Sequence, residues 1–105
     1  MTQALVIGAG PAGLMAAEEM ARAGMKVIVA EAKPSVGRKF LMAGKSGLNL
    51  TKDEPRDGLI AGFGEAANAL TPMLSEFDAR AVQDWATGLG QEIFTGSTGR
   101  VFPKA

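Results

Sequence analysis

The sequence predicts an α/β fold that opens on a strand–helix–strand unit. Three observations carry this. Ala4 to Ile7 and Lys26 to Glu31 are short apolar runs rich in β-branched residues. Between them Leu14, Ala17, Met20 and Ala21 recur at helical spacing and form one apolar face. Gly8, Gly10 and Gly13 stand in G-x-G-x-x-G order where the first strand gives way to the helix.

Each element has its own grounds. The two strands read as buried parallel strands covered on both faces, because their apolar runs are continuous rather than alternating. The helix spans about Pro11 to Ala23. Proline suits its first turn, where the missing N–H would be unpaired anyway. Glu18 and Arg22 lie four apart on its outer side, and Gly24 ends it. The crossover is expected to be right-handed.

Residues 32–58 show no sustained period and carry glycines, prolines and several basic residues, so they read as one long loop, with at most a short turn of helix. The helical pattern resumes from Ala66. Asp78 reads as the N-cap of a helix whose face is Val82, Trp85, Ala86 and Leu89, stopped by Gly88 and Gly90. "QEIF", "TGSTG" and "RVF" read as a β-hairpin with a glycine-rich turn, closed by Pro103. Phe94 and Phe102 are expected to pack across it. No internal repeat is visible. The organisation expected is residues 1–58 as the strand–helix–strand unit with its long loop, and residues 59–105 as a helical segment plus hairpin.

Composition removes several function classes. The 105 residues contain 11 Lys+Arg and 11 Asp+Glu, so the net charge is zero and nothing global favours nucleic acid or an acidic membrane. Cysteine is absent, which excludes disulfides, a thiolate nucleophile and zinc–sulfur ligation within these residues. Histidine is absent as well, which removes the commonest general base. No metal site is expected, and no catalytic acid or base is assigned. The apolar run at the start breaks at Gly8 and has no basic leader, and no run approaches the roughly 20 apolar residues of a membrane span. A cytoplasmic protein is the expectation.

The glycines have separate tasks in a dinucleotide site. Gly8 makes the tight turn out of the strand. Gly10, without a side chain, lets a diphosphate approach the backbone. Gly13 lets the helix pack close to the strand, with Ala17 extending that contact. A diphosphate then rests on the free N–H groups and the partial positive charge of the helix start, formed by Pro11, Ala12 and Gly13. Glu31 lies 18 residues after Gly13, where its carboxylate can accept from ribose hydroxyls and would repel a 2′-phosphate. A glycine turn that serves packing alone, and a merely solvated Glu31, are the plainer alternatives. The core pattern fits FAD and NAD equally.

Beyond Glu31 the sequence is more particular. Residues Gly37-Arg38-Lys39, the stretch "AGKSGLNLTK" and Gly99 to Pro103 ("GRVFP") occur in that order. With the glycine turn they resemble flavoproteins of the two-dinucleotide-binding-domain class, and within it the HI0933-like or BaiN-like family of FAD-dependent oxidoreductases, also labelled the aminoacetone oxidase family. The resemblance covers essentially the whole chain. The family's arginine–cysteine pair is replaced here by Gly47-Leu48, while Asn49 and Thr51 match, so no role is carried over from that pair.

The resemblance implies a Rossmann-like FAD/NAD(P)-binding unit. It makes FAD the cofactor, NAD(P)H an admissible electron donor in the parent enzyme, and a small organic molecule the substrate. The cofactor-binding set is then Gly8, Gly10, Pro11, Ala12, Gly13, Glu31, Ala32, Lys33, Arg38, Lys39 and Asn49. Lys33, Arg38 and Lys39 suit a diphosphate or adenine edge, or are plain solvated loop charges. Asn49 suits the flavin ring or a ribityl hydroxyl, or a turn bond to its own backbone. Trp85, Met15 and Met20 read as packing residues, and Arg100 as either a substrate contact or an exposed charge. Family enzymes are several times longer, so the chain reads as an N-terminal fragment. A half-built sheet has open edges and bare apolar surface, which favours self-association. Alone, the chain is expected to hold FAD weakly or not at all. An NAD-binding dehydrogenase and a non-catalytic nucleotide-binding module are the alternatives.

Overall fold

The computed structural model describes residues 2–37 and 48–104. The chain divides into two compact units, Met1–Ser46 and Gly47–Ala105. Among the described residues no helix is long and apolar enough to cross a membrane.

The first unit is the expected strand–helix–strand. β1 (Gln3–Ile7), α1 (Pro11–Arg22) and β2 (Lys26–Ala30) follow in order. The strands run parallel, with Gln3 opposite Lys26 and Ile7 opposite Ala30. The ladder is prolonged at both ends. Lys26 N–H donates to the Thr2 carbonyl at 3.1 Å, and Gly8 N–H to the Ala30 carbonyl at 2.7 Å. Pro11 takes the first helical position, and Ala23 caps the helix just before Gly24. Arg22 pairs with Glu19 at 3.2 Å and with Glu18 at 3.9 Å on the exposed side, contributing a few tenths of a kcal/mol at most.

Alternation along a strand places Ala4, Val6, Val27 and Val29 on one face and Leu5, Ile7, Ile28 and Ala30 on the other. α1 packs on both strands. Val6 is buried beneath it. The other face is bare: Leu5 is 62% exposed and Ile7 83%. Coverage on both faces, expected from the continuous apolar runs, is therefore not found among the described residues. The reason is geometric. One crossover helix covers one face of a sheet.

The second unit holds β3 (Thr51–Lys52), α2 (Arg56–Ala61), a 3-10 turn (Gly64–Ala66), α3 (Ala67–Glu76), α4 (Ala79–Gly88), β4 (Ile93–Thr95) and β5 (Arg100–Pro103). The hairpin is present, with Phe94 opposite Phe102 and their rings 5.6 Å apart at 28°. Its return strand is central, because β3 pairs with β5 on the other side. Val101, at the middle of this three-stranded antiparallel sheet, is fully buried. α4 packs on β3 and β4 and buries Ala79 and Ala86.

Asp78 caps α4 as expected. Its Oδ1 accepts from Ala81 N–H at 3.0 Å, while its Oδ2 accepts from Arg56 Nη2 at 3.2 Å. One carboxylate therefore ties the start of α2 to the start of α4. These bonds hold its pKa below the usual carboxylate range, with the Ala81 N–H the larger cause and Arg56 the next.

Two readings are corrected here. Residues 51–58, expected within one long loop with at most a short turn of helix, contain β3 and the start of α2, which runs on to Ala61. A two-residue strand and a six-residue helix bearing Gly58 are too short to impress a period on the sequence. Leu89 is not on the buried helical face. It is the C-cap of α4 and is exposed.

Candidate functional site

The glycine turn joins β1 to α1. Gly8 has φ +99°, a backbone conformation open to glycine and strained for other residues. Gly13 lies against it. A Cβ on Gly13 would strike the Gly8 carbonyl oxygen and would come within 3.3 Å of Val6 Cγ1. The third glycine of the motif is therefore required by the approach of helix to strand. Gly10 differs from both. It has φ −82° and ψ −175°, and a Cβ there would meet nothing within 4 Å. Packing does not require glycine at position 10, and the space beside its Cα is open.

Gly10 is the N-cap of α1 and brings no side-chain cap. The first helical bond runs from Leu14 N–H to the Gly10 carbonyl at 2.9 Å. The N–H groups of Gly10, Ala12 and Gly13 precede it and have no helical carbonyl to meet. Pro11 has no N–H to offer. The first turn carries no acidic residue. The helix start thus presents donors and a positive dipole end with no carboxylate in that turn to compete.

Glu31 follows β2 directly. Its Oε1 accepts from Ala9 N–H at 2.8 Å, and its Oε2 accepts from Lys33 N–H at 2.9 Å. These bonds lower its pKa from the ordinary glutamate value. The Lys33 N–H is the largest cause and the Ala9 N–H the next, with smaller help from Ala32 N–H and the Lys33 ammonium against a desolvation cost. The carboxylate stays ionised, with each oxygen keeping a further lone pair for a hydroxyl donor. Glu31 is thus tethered to the main chain through both oxygens.

Two residues outside the sequence-based set complete the arrangement. Ala9 is 1% exposed, and its carbonyl accepts from Gly37 N–H at 2.8 Å. The chain after β2 therefore folds back onto the glycine turn. The signal for Ala9 was its small side chain within G-x-G, where a larger group would not fit. Gly37 was visible only as part of a motif, because its partner is 28 positions away.

The structure thus gathers Gly8, Gly10, Pro11, Ala12, Gly13, Glu31 and the Lys33 backbone in the first unit. Ala32 and the Lys33 side chain are exposed beside Glu31. Arg38 and Lys39 lie outside the described residues. Asn49 is exposed in the second unit, two residues before β3.

A family model described as the HI0933-like protein Rossmann domain matches residues 2–105. The chain belongs to this family. The match spans both compact units, and the parallel β1–α1–β2 arrangement is the opening unit of a Rossmann domain. Membership makes the chain a nucleotide-binding Rossmann module.

Proposed function

We propose that the chain is the FAD-binding portion of a cytoplasmic flavin-dependent oxidoreductase acting on a small organic substrate. One observation carries this reading. The Glu31 carboxylate is anchored 2.8 Å from Ala9 N–H, beside an uncapped helix start and the open space at Gly10. Anion-binding donors and a hydroxyl acceptor would so suit the two ends of an adenosine diphosphate group. The N–H groups of Gly10, Ala12 and Gly13 would hold the diphosphate, with Gly8 making the turn out of the strand and Pro11 setting the helix start. Glu31, flanked by Ala32 and Lys33, would accept from the adenosine ribose.

FAD is preferred over NAD because Gly37-Arg38-Lys39, the Asn49–Thr51 segment and "GRVFP" accompany the glycine turn. In this reading Arg38 and Lys39 meet the phosphate or adenine edge, and Asn49 meets the flavin ring or ribityl chain. FAD, when bound, supplies the electron-carrying chemistry, and NAD(P)H suits the role of donor. The chain's own part is binding, orientation and a fixed negative charge at Glu31.

A second reading is a nucleotide-binding module without turnover of its own. The bare face formed by Leu5, Ile7 and Ile28 favours it. The first experiment is the visible absorption spectrum of the purified 105-residue chain and of the native protein that carries this sequence. Flavin bands in the native protein support the proposal, and bands in the chain as well mean that these residues suffice to hold FAD. A native protein free of flavin that retains a nicotinamide nucleotide instead would reject it.

A further inference from the structure

Glu31 enters the flavin reading as a ribose acceptor. Its contacts point to another task. The N–H of Ala9 belongs to the Gly8–Ala9 peptide, and Glu31 Oε1 holds it at 2.8 Å. The carbonyl of the same peptide is the oxygen pressed against Gly13. The next peptide, Ala9–Gly10, is held by its carbonyl, which accepts from Gly37 N–H at 2.8 Å. A trans peptide is planar, with its N–H opposed to its C=O. Gly37 therefore directs the Gly10 N–H to the opposite side. Two consecutive peptides of the turn are fixed from outside it, one by Glu31 and one by Gly37.

Ala9 is buried, so its N–H must find a partner within the protein, and Glu31 provides it. The second carboxylate oxygen is held by Lys33 N–H at 2.9 Å, which fixes the rotation of the group that does the holding. Among the described residues the Lys33 ammonium adds a smaller, charge-based pull on Glu31. A side chain that served ribose alone would have no reason to be tethered at both oxygens by main-chain donors.

We propose that Glu31 is a positioning residue: by holding the Ala9 peptide it shapes the glycine turn before any ligand arrives, in addition to any contact with ribose. The turn then meets a dinucleotide with its donors already oriented, which lowers the ordering cost of binding. The consequence for affinity rests on the nucleotide-binding reading above. The shape of the turn does not.

The test uses amide NMR on the whole 105-residue chain, first without ligand. On acidification the Ala9 and Lys33 amide protons should move together, with one midpoint below the ordinary glutamate range. In Glu31→Gln that response should vanish and the Gly10 amide signal should shift. In Glu31→Asp the shorter side chain can still reach Lys33 N–H two residues on but not Ala9. The Lys33 response should survive there while the Ala9 response is lost. An Ala9 amide indifferent to Glu31 ionisation in the wild-type chain overturns the inference, whatever the variants do.

The ligand arm titrates ADP and its 2′,3′-dideoxy analogue. Positioning through the turn predicts that Glu31→Ala, which leaves Ala9 N–H without its acceptor, and Glu31→Asp weaken the dideoxy analogue as well as ADP, by about tenfold, with any ribose contact adding to the loss for ADP. Loss for ADP alone, with the dideoxy analogue unaffected, would mean that Glu31 acts on ribose only and would also overturn the inference. If neither nucleotide binds the wild-type chain, the binding reading fails for these residues, and the positioning role is decided by the amide signals.

Discussion

Gly13 sits so close to Gly8 that a single added carbon on Gly13 would collide with the Gly8 carbonyl oxygen. The contact locks the first turn of α1 onto the end of β1, and it separates two glycines that the motif treats alike. Gly13→Ala must displace backbone, because the nearest atom in the way is the Gly8 carbonyl oxygen. It should destabilise the first unit by about 1–3 kcal/mol. Gly10→Ala meets open space at an ordinary φ and should stay within about 0.5 kcal/mol of wild type. It should nevertheless impair nucleotide binding, because the methyl group would occupy the approach to the backbone. Thermal melts paired with nucleotide titration check both halves.

Glu31 gives the first unit a pH dependence whose sign follows from its bonds. Its folded pKa is depressed, first by Lys33 N–H and then by Ala9 N–H. The stability it adds is present above the unfolded-state value and is lost as pH falls through the depressed folded value. The difference in stability between wild type and Glu31→Gln should therefore be largest near neutrality and shrink on the acid side of the ordinary glutamate range. Denaturant unfolding at a series of pH values, followed by first-unit amide signals, reads this directly. A difference that widened on acidification would contradict the assignment.

In the second unit Val101 and Asp78 carry different loads. Val101 is 0% exposed at the centre of the sheet. Val101→Ala removes two buried methyl groups and should cost about 2 kcal/mol. Asp78 caps α4 and binds Arg56 with the same carboxylate. Asp78→Asn keeps an oxygen for Ala81 N–H, whereas Asp78→Ala loses both partners. The alanine variant should melt several degrees lower than wild type and the asparagine variant less so. Equal effects would mean that the ion pair, rather than the cap, is what matters.

The bare face of β1 and β2 predicts behaviour in solution. Ile7 is 83% exposed and Leu5 62%, on the face away from α1. Replacing both with lysine should change stability little, since neither side chain is buried. It should reduce concentration-dependent association of the chain. Sedimentation velocity across a concentration series checks this. Unchanged association would move the contact surface elsewhere.

Much of this was open to reading along the chain, and the reason is locality. Pro11 at the helix start, the run from Leu14 to Ala21, the strand at Lys26 and the cap at Asp78 are all specified by residues within a turn or two of themselves. The G-x-G-x-x-G spacing announces its own chemistry, because Gly8 answers the turn it makes and Gly13 the carbonyl of Gly8 five positions before it. Where elements were short, the reading ran out. β3 and α2 leave no period, and β3 exists because β5, about 50 positions later, offers it an edge.

Glu31 shows the same boundary within one residue. Its spacing from Gly13 was enough to place an acid beside a nucleotide turn. That both its oxygens are taken by main-chain donors, and that Ala9 is gripped from one side by Glu31 and from the other by Gly37, is visible only in three dimensions. Local propensity determines which residues form a strand, a helix or a turn. Which buried N–H finds which acceptor is decided by folding, which brings residues 22 positions apart to within 2.8 Å and leaves a buried donor no solvent to turn to.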